Sequence, residues 1–139
     1  MKALRAVLAA LALSAVFTGA WAAFAPRSFY TDFPGAGRHW VDRAPPFNEH
    51  LITDVGAFYL AFAVLFAWAA VRPSRELVVP VALAWSLFSV IHFVWHVTHL
   101  DGFPVADAIA QTAALGIVLA GAAIAIALSR APARSNGAR

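Results

Sequence analysis

The sequence predicts an all-α integral membrane protein, a four-helix bundle with an ordered outer loop between its first and second helices. Three observations carry that expectation. Hydrophobic residues make up 62% of the chain and charged residues only 12%, whereas soluble domains carry roughly half and a quarter. The apolar residues, which give a mean hydropathy of +0.74, gather into four runs at about residues 3–24, 55–71, 77–98 and 105–128. Each run is close to the roughly 20 residues that cross about 30 Å of hydrocarbon as a helix. Finally, nothing alternates with period two as a barrel strand would, and backbone in lipid must be satisfied within a helix or a closed barrel. A chain of 139 residues supports one such domain.

The first run begins with Lys2 and Arg5 and ends near Ala20-Trp21-Ala22, which also satisfies the signal-peptide pattern. Its apolar core continues past Ala15 through Val16, Phe17, Trp21 and Phe24, longer than the roughly 7 to 15 residues of a signal core. A retained span is therefore the expectation. The outer loop, residues 25–54, starts with Pro26, contains Pro-Gly-Ala-Gly at 34–37 and Pro-Pro at 45–46, and so reads as neither a helix nor a simple strand. Phe29, Tyr30, Phe33, Trp40 and Phe47 are too many large rings for a solvated linker. They predict a lid across the bundle mouth, with its rings at the headgroup level.

The second and third spans are joined by Arg72-Pro73-Ser74-Arg75-Glu76, and the third and fourth by His99-Leu100-Asp101-Gly102-Phe103-Pro104. Connections this short predict antiparallel neighbours. On the fourth span Gly116 with Ala120 and Gly121 with Ala125 form small-xxx-small pairs. Such pairs let helices approach closely, within one chain or between this chain and a second copy or membrane partner. The tail, 130–139, is polar and cationic and reads as disordered.

Basic residues set the expected orientation. Lys2, Arg5, Arg72, Arg75, Arg130, Arg134 and Arg139, seven of ten, lie on the side of the termini, and only Arg27, Arg38 and Arg43 on the other. The positive-inside rule then puts both termini in the cytoplasm of a cell whose inner membrane the chain spans several times. The sequence pI near 10.2 is a topogenic signal facing phospholipid rather than a nucleic-acid signature. Six of the seven acids, Asp32, Asp42, Glu49, Asp54, Asp101 and Asp107, and all five histidines, His39, His50, His92, His96 and His99, fall toward the outer side.

His92, His96 and His99 are four and three residues apart, which stacks three imidazoles on one helix face. Ionisable groups inside a membrane segment are costly and read as a functional site. Counted back from Thr98, His92 lies about 9 Å below the outer boundary, too deep to reach the headgroups, so His92 and His96 should face the bundle interior and find a polar partner there. His50 and Asp54 share a face of the second span. With Glu49 they enter from the same side, and Asp107 does so on the fourth span. The candidate metal ligands are thus Glu49, His50, Asp54, His92, His96 and His99. Nitrogen and carboxylate donors suit zinc or iron. Copper(I) is disfavoured, because the chain has no cysteine and one methionine. Other readings of the same residues are a hydrogen-bonded histidine pair tying helices together, a proton-handling or lipid-binding pocket, and, for Glu49, Asp54 and Asp107, first-turn acids favoured by the helix dipole.

The segments Asn48-Glu49-His50-Leu51-Ile52-Thr53-Asp54-Val55-Gly56 and His92 to Gly102 resemble a group of small bacterial four-span membrane proteins with E-H-L-x-x-D-V-G and H-x3-H-x2-H-L-D-G motifs. The four-span layout is similar to that of DoxX-like inner-membrane proteins. The resemblance implies the fold and the membrane location and supplies no activity. Three functions fit the residues: a binding or accessory protein whose outer His/carboxylate site holds a divalent metal or small polar ligand; an intramembrane enzyme on a lipid-like substrate, with His92 or His96 as acid/base oriented by Glu49 or Asp54; and a b-type haem protein using His50 with His92 or His96. Nucleophile motifs, phosphate-binding glycine loops and nucleic-acid signatures are absent.

Overall fold

The structure, a computed structural model, describes residues 1–44 and 46–130. Four long apolar helices form an all-α bundle: α1 (Lys2–Phe24), α3 (Glu49–Val71), α4 (Arg75–Val97) and α5 (Val105–Arg130). All four are long and apolar enough to cross a membrane, as in a multi-pass membrane protein. The expected disordered tail lies, from residue 131 on, outside the described residues. Around the bundle the neighbours are α1 with α3, α3 with α4, α4 with α5 and α5 with α1. The C-termini of α1 and α4 and the N-termini of α3 and α5 share one end, called here the loop end.

Two corrections concern the connection between the first two spans. Pro26, read as a breaker, instead occupies the first turn of a short helix, α2 (Pro26–Asp32), where its missing N–H costs nothing and its fixed φ fits. A minimal antiparallel ribbon follows, β1 (Pro34–Gly35) with β2 (Arg38–His39). Its turn runs through Gly35, Ala36 and Gly37, all at positive φ, which two glycines make inexpensive. The other concerns where the loop ends: α3 extends six residues ahead of the apolar run that begins at Val55, so the loop is shorter than 25–54 and the polar stretch is helical, as the shared face of His50 and Asp54 requires. Asn48 caps it by accepting the Leu51 amide at 3.0 Å, so the polar stretch 49–54 is the first turns of a helix rather than loop. Ser74 caps α4 in the same way.

The loop is an ordered lid, as expected. Phe29 and Phe33 sit against Trp21, with ring centroids 6.2 and 5.8 Å away, and Arg27 lies over Phe47 at 3.9 Å. Two arginines fasten it to the far side of the bundle: Arg38 pairs with Asp107 at the start of α5, and Arg43 donates to the Gly102 carbonyl at 2.6 Å.

The closest helix approach is between α1 and α3. A Cβ on Gly56 would lie 2.3 Å from the Ala23 backbone nitrogen, and one on Gly19 would lie 2.9 Å from the Leu60 nitrogen. Only glycine permits such backbone-on-backbone contact, a common device where lipid removes the hydrophobic drive between helices. The fourth-span small residues are also used within the chain. A Cβ on Gly121 would come 3.1 Å from Leu11 of α1, and Ala122 and Ala125 are fully buried. The apolar core, with Leu8, Ala15, Phe66, Val78, Ala82 and Ala125 at its centre, occupies the half of the bundle away from the loop end.

Candidate functional site

Toward the loop end the inward face of α4 changes from apolar to polar. Above Trp85 come Ser89, His92 and His96, four, three and four residues apart, so they lie on one face within about 60° of arc. His92 and His96 are half-buried and face inward, as their spacing and depth require. His92 stacks on Phe88 with centroids 5.2 Å apart and meets His96 edge-on at 4.5 Å. Among the described residues His92 has no hydrogen-bond partner and no acid pairs with either ring, so the expected polar partner is found for His96 alone.

His96 is fixed from α5. Its Nδ1 lies 3.2 Å from Oε1 of Gln111, a residue only 3% exposed. With the amide oxygen facing the ring, Nδ1–H donates and Oε1 accepts, which leaves the His96 Nε2 with a free lone pair. His99 has the same arrangement by different means. Its Nδ1–H donates to the Trp95 carbonyl at 2.7 Å while its ring stacks on the Trp95 indole, 4.4 Å away and inclined by 9°. Again Nε2 is the nitrogen left over.

Both rings line a cavity of about 570 Å³ under the lid, with Trp40, Arg43, Trp95, Asp101 and Phe103 as other walls. The loop supplies Trp40 and Arg43, and α4 and its following turn supply the rest. Arg43 is held by the Gly102 and His39 carbonyls and sits 5.4 Å over the Phe103 ring, so its cation is positioned at the rim with N–H groups to spare. The Trp40 indole N–H, closed off from solvent and without a hydrogen bond of good geometry, lies toward the Asp107 carboxylate. Around the cup stand aromatic rings, a guanidinium, a carboxylate and two imidazoles.

The α3 candidates are elsewhere. His50 and Asp54 do share a face, 3.2 Å apart, but their side chains are 88% and 61% exposed, on the outside of the bundle. Glu49 lines a separate, shallow hollow with Arg27, Ser28, Asp32 and Phe47. The expected convergence of α3 and α4 ligands is therefore not formed. Among the described residues no three His, Asp or Glu side chains come together in a grouping able to hold a metal ion. The physical reason is that helical spacing says which residues share a face, not which face turns inward.

Gln111 is the residue of the candidate site that the spacing of histidines and acids does not reveal. It is the only glutamine in the chain and lies within an apolar span, where a neutral amide draws less notice than a charge yet needs a partner almost as much. No family model matches the chain, and no match was found to a curated protein or to a solved structure.

Proposed function

We propose that the protein is an integral membrane binding or accessory protein of the inner membrane, with its termini in the cytoplasm and its lidded cup on the outer face, and that the cup holds a small amphipathic ligand. One observation carries this reading: His96 and His99 each have Nδ1 committed within the chain and Nε2 left over, on the wall of the same cavity, beside Arg43 and the Trp40, Trp95 and Phe103 rings. Such a set of a few polar groups among aromatic walls fixes the orientation of an organic ligand. Two imidazole nitrogens fall short of the three or four protein donors of a zinc site, which favours the organic ligand over zinc or iron. A carboxylate partner would raise imidazole basicity for acid/base work, and a glutamine does not. Binding is favoured over catalysis on that ground. The His50 side chain is 88% exposed, which weighs against its pairing with His92 or His96 across a haem. The lipid bilayer is the surrounding partner, and α1, which closes against α3 at Gly56, is read as retained.

Native mass spectrometry of the protein released from its own membrane tests the reading. A bound small molecule is expected on the unmodified chain and on His50→Ala, and its loss is expected on His96→Leu and Arg43→Ala. Absence of any adduct, or an adduct that survives all three substitutions, contradicts it. An adduct with the mass of a single metal ion instead selects the metal reading. For orientation, Ala36→Cys should react with an impermeant maleimide in whole cells and Pro73→Cys should not; the reverse would put the cup in the cytoplasm.

A further inference from the structure

Below the cup, the polar face of α4 runs deeper than any ligand in the cup would need. Trp85 and Ser89 are 1% and 6% exposed, and the Trp85 Nε1–H and the Ser89 hydroxyl have no hydrogen-bond partner among the described residues. Hydrogen-bonding groups orphaned in a membrane interior are costly, because no water or lipid headgroup is there to pair with them. Here two stand one helical turn apart on the helix face that carries His92 and His96, beside Phe88, whose ring stacks on His92 and lies 5.4 Å from Trp85. Eleven residues separate Trp85 from His96, so the face extends about 16 Å, roughly half the hydrocarbon thickness. It stops there: Phe62 and Phe66 close on Trp85 with centroids 5.0 and 5.4 Å away, and Val78, Val81 and Ala82 beyond it are buried and apolar.

We propose that water enters the bundle from the cup and is held along α4 as far as Trp85, in a blind column walled by His96, His92, Ser89 and the Trp85 indole. Water is the ligand that suits this set. Trp85 only donates, the His96 Nε2 only accepts, and Ser89 and His92 do both; water bridges all of these, and buried waters persist where two to four polar partners meet them. The column would bring the aqueous phase of one side to the centre of the membrane while the apolar floor keeps the other side sealed. It stands whether or not the cup holds an organic ligand.

The chain has no cysteine, so single thiols can report hydration by depth. Silver ion, about as small as water, reacts with thiolates, which form only where water reaches. Ser89→Cys, a near-isosteric change, is compared with Leu87→Cys and Val90→Cys, at almost the same depth on faces that are 67% and 46% exposed toward lipid. Silver applied to membranes should block later maleimide labelling of Ser89→Cys at least tenfold faster than of the two controls. Reaction at Ser89 as slow as at the controls, or equal reaction at all three, overturns the proposal. In the unmodified chain the Trp85 indole N–H should exchange with deuterium within minutes; protection for hours would overturn it equally.

Discussion

The two halves of the bundle are held together by different means. Away from the loop end the interior is hydrocarbon and aromatic, filled by Leu8, Ala15, Phe66, Val78 and Trp85. Toward the loop end α4 and α5 meet across a histidine and an amide, and the mouth is covered by a lid anchored on Arg38 and Arg43. In lipid an apolar side chain gains little by moving from tails to protein, so helices associate through packing detail and through polar groups that cannot be left unpaired. The apolar half uses the first means alone, whereas at the loop end the close contact of α1 with α3 at Gly19 and Gly56 is joined by the second. It is there that ring nitrogens are left over for something other than the fold.

Substitutions should separate the two. Gly56→Val has the largest expected effect, because even a Cβ at that position would lie 2.3 Å from the Ala23 nitrogen and two helix backbones would have to part. A loss of about 3 kcal/mol or more is expected from unfolding in detergent; a loss under about 1 kcal/mol would show that α1 and α3 are not in this contact. Gln111→Leu comes next. It removes the acceptor of the half-buried His96 Nδ1–H and should cost about 1 to 2 kcal/mol, whereas the double change His96→Leu with Gln111→Leu should cost less than the sum of the singles, since neither partner is then orphaned. Strict additivity would deny the hydrogen bond.

Smaller effects belong to the rim. Arg38→Ala releases the lid from α5, and tryptic cleavage at Arg43 should accelerate several-fold with the helices still folded; an unchanged rate would mean that the aromatic contacts alone hold the loop. His50→Ala should change stability by less than about 0.5 kcal/mol, as exposed substitutions do, and should leave the cup unaffected. A large effect there would return α3 to the site.

Much of this was legible in the chain. The four helices follow from uninterrupted apolar length, and the inward turn of His92 and His96 follows from their spacing and depth. The polar opening of α3 is readable from the helical spacing of His50 and Asp54, and the Asn48 side chain bonding the Leu51 amide fixes where that helix begins. Pro26 misled, since proline ends one helix and opens the next by the same property of its ring. Which face of α3 points inward depends on Gly19 and Gly56 meeting the opposite backbones, a long-range fact that sets His50 and Asp54 outside. The partner of His96 was hidden for a related reason: a lone glutamine has no pattern to betray it.

The arrangement at the centre of the account is a histidine on α4 whose Nδ1 proton is held by an amide on α5 so that Nε2 stays free for the cup. Nitrogen-15 NMR of histidine-labelled protein, with His96 assigned by its loss in His96→Leu, reads that tautomer directly. The expected result is a neutral ring protonated on Nδ1 and unprotonated on Nε2, shifting toward the Nε2-protonated form in Gln111→Leu. A ring carrying its proton on Nε2 in the unmodified chain, and unmoved by Gln111→Leu, would contradict it.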